Sequence, residues 1–100
     1  MKNVTLLNVT IEKIIILLTS VEENNWLTSF NQFKQKCNNS DSKNIEYLHN
    51  EILKIYGGMG SFNDLVLYNN GQPLVKENQN LEQLRKELFD ILHNNSTSNK

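Results

Sequence analysis

Ser61 is the residue type of a nucleophile, with His49 or Asp64 as the base it would need, and Gly57, Gly58 and Gly60 stand just before Ser61. Acyl transfer at Ser61 needs a base within hydrogen-bond reach and donors for an oxyanion. No spacing in the chain brings His49 or His93 beside Ser61, and no second carboxylate adjoins Asp64. The chain therefore reads as non-enzymatic, with no catalytic set. Two histidines and the single Cys37 would need carboxylates at ligand spacing to hold zinc, and none shows it, so neither metal nor cofactor is expected.

Three of the four glycines fall within positions 57 to 60, and two readings of that cluster follow. In the first, Gly57, Gly58, Met59, Gly60, Ser61, Phe62, Asn63 and Asp64 form a ligand or partner loop. Glycine backbone approaches a ligand closely, Ser61 caps a short turn with Asp64 at its third position, and a small anion such as a nucleotide or phosphate binds the exposed amides. Against it, the glycine spacing matches neither the phosphate loop with its Lys and Ser/Thr nor the dinucleotide fingerprint, and Asp64 repels an anion. In the second and preferred reading the glycines stop a helix and reverse the chain. Phe62 and Met59 then drop into the core, and Asn63 and Asp64 hold the loop by bonding nearby backbone.

The elements that must position this loop follow from periodicity. Val4, Leu7, Ile11, Ile14, Leu18 and Val21 alternate spacings of three and four, which predicts a helix over about Thr5 to Glu22. Ile15, Ile16 and Leu17 widen its apolar arc, so this helix is either central or carries a second apolar face for self-association; the central position is preferred. Asn24 or Asn25 is the expected N-cap of a second helix from Trp26 to about Cys37, whose stripe of Trp26, Phe30, Phe33 and Cys37 is core. Ser40, Asp41 or Ser42 should cap a third helix with Ile45, Leu48, Ile52 and Ile55 on its buried face and Tyr56 at its end. His49 is expected at the boundary or in solvent, and Gly57 as a left-handed helix stop. Leu65 to Tyr68, the Asn70-Gly71 pair and Pro73 to Val75 predict a hairpin with a two-residue type I′ turn. In that register Tyr68 faces Pro73 in a non-hydrogen-bonded pair, and Leu65, Leu67 and Leu74 pack on helices. Asn80 and Gln83 resemble a capping box, opening a last helix through Leu81, Leu84, Leu88, Ile91 and Leu92 to about His93.

The expected fold is α+β: a four-helix, bundle-like domain over residues 1 to 93, with the hairpin inserted between the third and fourth helices and residues 94 to 100 a disordered polar tail. One hundred residues at 38% hydrophobic content suit one such domain. Ten basic residues against eleven acidic ones, near-neutral in each half, and the single Arg85 offer no face to nucleic acid. The apolar run Ile14 to Leu18 is too short for a signal peptide or a membrane span, and a single cysteine suits the cytoplasm.

Gly57-Gly58-Met59-Gly60-Ser61-Phe62-Asn63-Asp64-Leu65-Val66-Leu67 resembles the signature of a small bacterial domain family of unknown function. Glu22-Glu23-x-x-Trp26 and Leu81-x-x-Leu84 are similar to its flanks, so that the resemblance covers about Leu7 to Leu92. The resemblance implies a bacterial cytoplasmic setting and no activity or cofactor; Asn24 and Asn25, where relatives are expected to carry charged or small residues, depart from it at the helix start. The function expected is non-catalytic protein interaction, with a protein partner or as a homo-oligomer such as a dimer through Ile15, Ile16 and Leu17. A defence-linked or immunity-type binding role fits by analogy of size and compartment alone.

Overall fold

The structure, a computed structural model, describes residues 2–39, 42–57 and 61–97. Its first helix, α1 (Lys2–Ser20), buries Leu7, Ile11, Ile14 and Leu18 completely, as their spacing predicts. α1 packs against both α2 (Asn24–Asn38) and α4 (Val75–Thr97), which makes it central. α2 also packs against α3 (Ser42–Leu53), which continues into a 3-10 turn at Lys54–Tyr56. The domain measures 45 × 24 × 21 Å.

α1 closes without a glycine. The Glu23 amide donates back to the Leu18 carbonyl at 3.0 Å and the Glu22 amide to Thr19 at 3.2 Å, a Schellman closure that puts Glu22 in the left-handed region at φ 59°. The chain then re-enters a helix at once. Glu23, and not Asn24 or Asn25, is the N-cap of α2: its carboxylate accepts from the amides of Asn25 at 3.0 Å and Trp26 at 3.2 Å. The Schellman turn places Glu23 one residue ahead of the asparagines, so they fall inside the first turn with their own amides needing an acceptor. A negative cap there also suits the positive end of the helix.

Phe30, Phe33 and Cys37 of α2 and Ile45, Leu48 and Ile52 of α3 are buried as expected. His49 is not at the boundary. It is 5% exposed, because it stands four residues after Ile45 and three before Ile52 and so shares their face. The caps expected at Ser40 and Asp41 lie outside the described residues, and Ser42 is the first residue of the helix.

The hairpin has the expected register and turn but is shorter. Two-residue strands β1 (Tyr68–Asn69) and β2 (Gln72–Pro73) pair Tyr68 with Pro73 and Asn69 with Gln72, and Asn70 and Gly71 both have positive φ, at 55° and 77°. The Leu74 amide donates to the Leu67 carbonyl at 2.9 Å, so Pro73 falls between hydrogen-bonded pairs, where its missing donor costs nothing. The return strand ends before Val75 because α4 begins there: the Asn78 amide already donates to the Leu74 carbonyl at 2.8 Å. Asn80 is therefore inside α4 and caps nothing, and the helical backbone runs to Thr97 and not only to about His93. Leu81, Leu84, Leu88 and Leu92 face the core, and Leu67 joins them at 2% exposure, with Leu65 and Leu74 packed partly buried at its edge.

Candidate functional site

Phe62 is the anchor of the segment between α3 and the hairpin. It is fully buried, with Trp26, Phe30 and Tyr56 around it at ring-centroid distances of 5.4, 4.9 and 5.9 Å, in the tilted and edge-on arrangements that aromatic quadrupoles favour. Arg85 closes the cage from α4. Its guanidinium carbon lies 5.9 Å from the Phe62 ring centre, and one of its terminal nitrogens donates to the carbonyls of Phe62 at 2.8 Å and Leu65 at 3.0 Å. The other donates to Glu82 at 3.0 Å. The only arginine of the chain is thus engaged by the chain's own backbone.

Two further bonds hold the same segment. The Tyr56 hydroxyl donates to the Arg85 carbonyl at 2.9 Å, and burial pushes that phenol's pKa well above its ordinary value. The Asn78 side chain accepts from the Leu67 amide at 2.8 Å and returns a bond to the Leu67 carbonyl at 3.0 Å, standing in for a neighbouring strand. Neither Arg85 nor Asn78 stands out in the sequence, because their partners are 20 and 23 residues away for Arg85 and 11 for Asn78. Asn63 holds the loop as expected, donating to the Tyr56 carbonyl at 3.3 Å, and the Asp64 amide donates to Ser61 at 2.9 Å.

The glycine cluster is placed only in part, since Gly58, Met59 and Gly60 lie outside the described residues. Gly57 is extended, at φ −107° and ψ 148°, and is no left-handed stop; the 3-10 turn Lys54–Tyr56 ends the helix instead. A Cβ added at Gly57 would meet nothing within 4 Å, so this position does not demand glycine. Ser61 occupies the cap position of the 3-10 turn Phe62–Asp64, yet its side chain makes no cap bond. Its Oγ is buried and has no hydrogen-bond partner among the described residues, so it forms no nucleophile–base pair with any of them. Among the described residues no three His, Cys, Asp or Glu side chains are grouped to hold a metal ion.

Beside Ser61 lies an open cleft of about 360 Å³ lined by Trp26, Ser61, Asp64, Leu65, Val66 and Tyr68. On α1, Leu17 is in the core, Ile15 is half-buried and Ile16 is 63% exposed. Leu6 and Val9 are exposed with it, at 53% and 43%. Among the described residues no helix is long and apolar enough to cross a membrane.

The architecture is that of a small, mainly helical α+β domain with an aromatic-anchored loop. Residues 19–75 match the model of a family described as a domain of unknown function (DUF6966), more than half of the chain, and the protein belongs to that family. Neither the curated proteins nor the solved structures hold a match.

Proposed function

We propose that this chain is a non-catalytic protein-interaction domain of the bacterial cytoplasm that associates with a second copy of itself through the outer face of α1. The observation that carries this reading is the exposure of Leu6, Val9 and Ile16 on the side of α1 turned away from its buried stripe. At 100° per residue these three span an arc of about 80°, with Lys13 between them. A helix already packed on two neighbours needs no third apolar face for its own fold.

The face is self-complementary in an antiparallel pairing. Leu6 and Ile16 are centred on the same point of the helix as Val9 and Lys13, so a two-fold axis there sets Leu6 against Ile16 of the second copy and Val9 against the aliphatic stem of Lys13. A formal net charge of −1 opposes such pairing very little. The anion reading of residues 57 to 64 draws less support: Asp64 carries the wrong charge, and Arg85 is committed to backbone carbonyls.

Sedimentation velocity across a wide concentration range tests the reading. The expected result is a monomer–dimer equilibrium that Ile16→Glu shifts to monomer with an unchanged melting temperature, Ile16 being solvent-facing. A wild-type chain that stays monomeric at millimolar concentration overturns it.

A further inference from the structure

We propose that the cleft beside Trp26 and the neighbouring Val66 backbone form a docking edge for an extended segment of a partner protein, with an arginine side chain of that segment seated between Trp26, Asp64 and Tyr68. The site uses residues separate from the α1 face and holds whether or not the chain dimerises.

Three observations carry it. The first is the composition of the cleft wall. Its described lining residues include two aromatic rings, Trp26 and Tyr68, and a single charge, the Asp64 carboxylate, with no basic residue among them. Flat rings beside a carboxylate suit a planar guanidinium, which stacks on the faces and pairs with the acid. A volume of about 360 Å³ is enough to take one long side chain.

The second is Ser61. It is 8% exposed, lines the cleft, and its buried Oγ has no hydrogen-bond partner among the described residues. A buried hydroxyl left without a partner costs free energy, which a donor entering from the cleft would recover.

The third is the backbone at the rim. The Leu65 carbonyl is taken by Arg85, and the Leu67 amide and carbonyl by Asn78, all on the α4 side. In an extended chain the polar groups of successive residues point to opposite sides, so those of Val66 face away from α4. Among the described residues they have no partner. Val66 therefore presents an open donor and acceptor of the kind to which an added strand pairs, and its 47% exposed side chain and the 57% exposed Tyr68 supply apolar contact beside it.

Trp26 is the only tryptophan, so its indole reports directly on the cleft. The test titrates the full chain with the blocked tripeptide acetyl-Val-Arg-Val-amide, followed by amide and indole nitrogen–proton NMR. Parallel titrations use the tripeptide with citrulline, the neutral isostere of arginine, and the arginine tripeptide with its central amide methylated. The expected result is saturable shifts at the Trp26 indole and the Val66 amide, with about tenfold weaker binding for citrulline and a comparable loss on methylation. Asp64→Asn should abolish the preference for arginine over citrulline. Tyr68→Ser, at an exposed site, should weaken binding with the melting temperature unchanged, so a folding defect cannot imitate the result. The proposal is overturned if no saturable shift reaches Trp26 and Val66 up to the solubility limit, if citrulline binds as well as arginine, or if the methylated peptide binds undiminished.

Discussion

Arg85 shows how a side chain that looks ordinary in the sequence sets the loop. Its side chain is 13% exposed, and its guanidinium makes two bonds to the carbonyls of Phe62 and Leu65 in the segment between α3 and the hairpin. Arg85→Ala leaves both carbonyls without a charged donor and removes one wall of the Phe62 cage, and is expected to cost about 2–3 kcal/mol in urea unfolding. Arg85→Lys should recover less than half, since an ammonium cannot lie flat on the ring while reaching two carbonyls. His49 is the titrating residue of the core. Burial holds its pKa below the ordinary 6.5, with Glu46 opposing that shift. A folded-state pKa below the unfolded one means that the unfolded chain takes up the proton first, so stability falls as the pH drops through about 6.5. Melting temperatures measured between neutral pH and about pH 5.5 should show that fall, and His49→Leu should flatten it. The polarity of His49 suggested solvent and its spacing from Ile45 and Ile52 the core; spacing decides, because rotation about the helix axis is set by the residues that must be buried.

Among the elements, the link between α1 and α2 makes the most specific demand on backbone. Glu22 holds φ 59° with an exposed side chain, a conformation that costs an L-residue on the order of 1 kcal/mol. Glu22→Gly removes that strain and is expected to stabilise the domain by up to about 1 kcal/mol in urea unfolding, glycine's own entropy offsetting part of the gain. No sequence signal marks this turn, since the residue in the left-handed position is neither Gly nor Asn. The hairpin was legible because Asn70-Gly71 is one of few pairs that tolerate two successive positive φ values. The start of α4 was not. Pro73 just ahead of Val75 and Glu77 in the first turn were the available signals, while Asn80 and Gln83 imitated a capping box inside the helix. The stripes of α1, α2 and α4 were legible because each repeats the helical period over several turns. What gathers around Phe62 was legible only as composition: the sequence offers Trp26, Tyr56 and Arg85 as separate residues, and tertiary packing alone brings them together.

At the scale of the whole molecule, the surface ion pairs Lys34–Glu12 and Lys36–Glu51 link α2 to α1 and to α3 but lie in solvent, where such pairs contribute little. Cohesion comes from one apolar cluster to which every helix contributes. The two proposed interfaces use separate residues. The outer side of α1 is apolar with one lysine in it, and the cleft beside Trp26 is aromatic with one aspartate, so the two sites differ in the chemistry they select. The packing of α1 on α4 also bears on how the protein is made in the cell. During translation α1 and α2 leave the ribosome ahead of α4 and can meet at once, but the remaining flank of α1, the Arg85 clamp and the Asn78 support all wait for α4. Until then the nascent chain holds Phe62 and the inner leucines without their final cover, so the interval before α4 arrives is when chaperone capture or misassociation competes with folding.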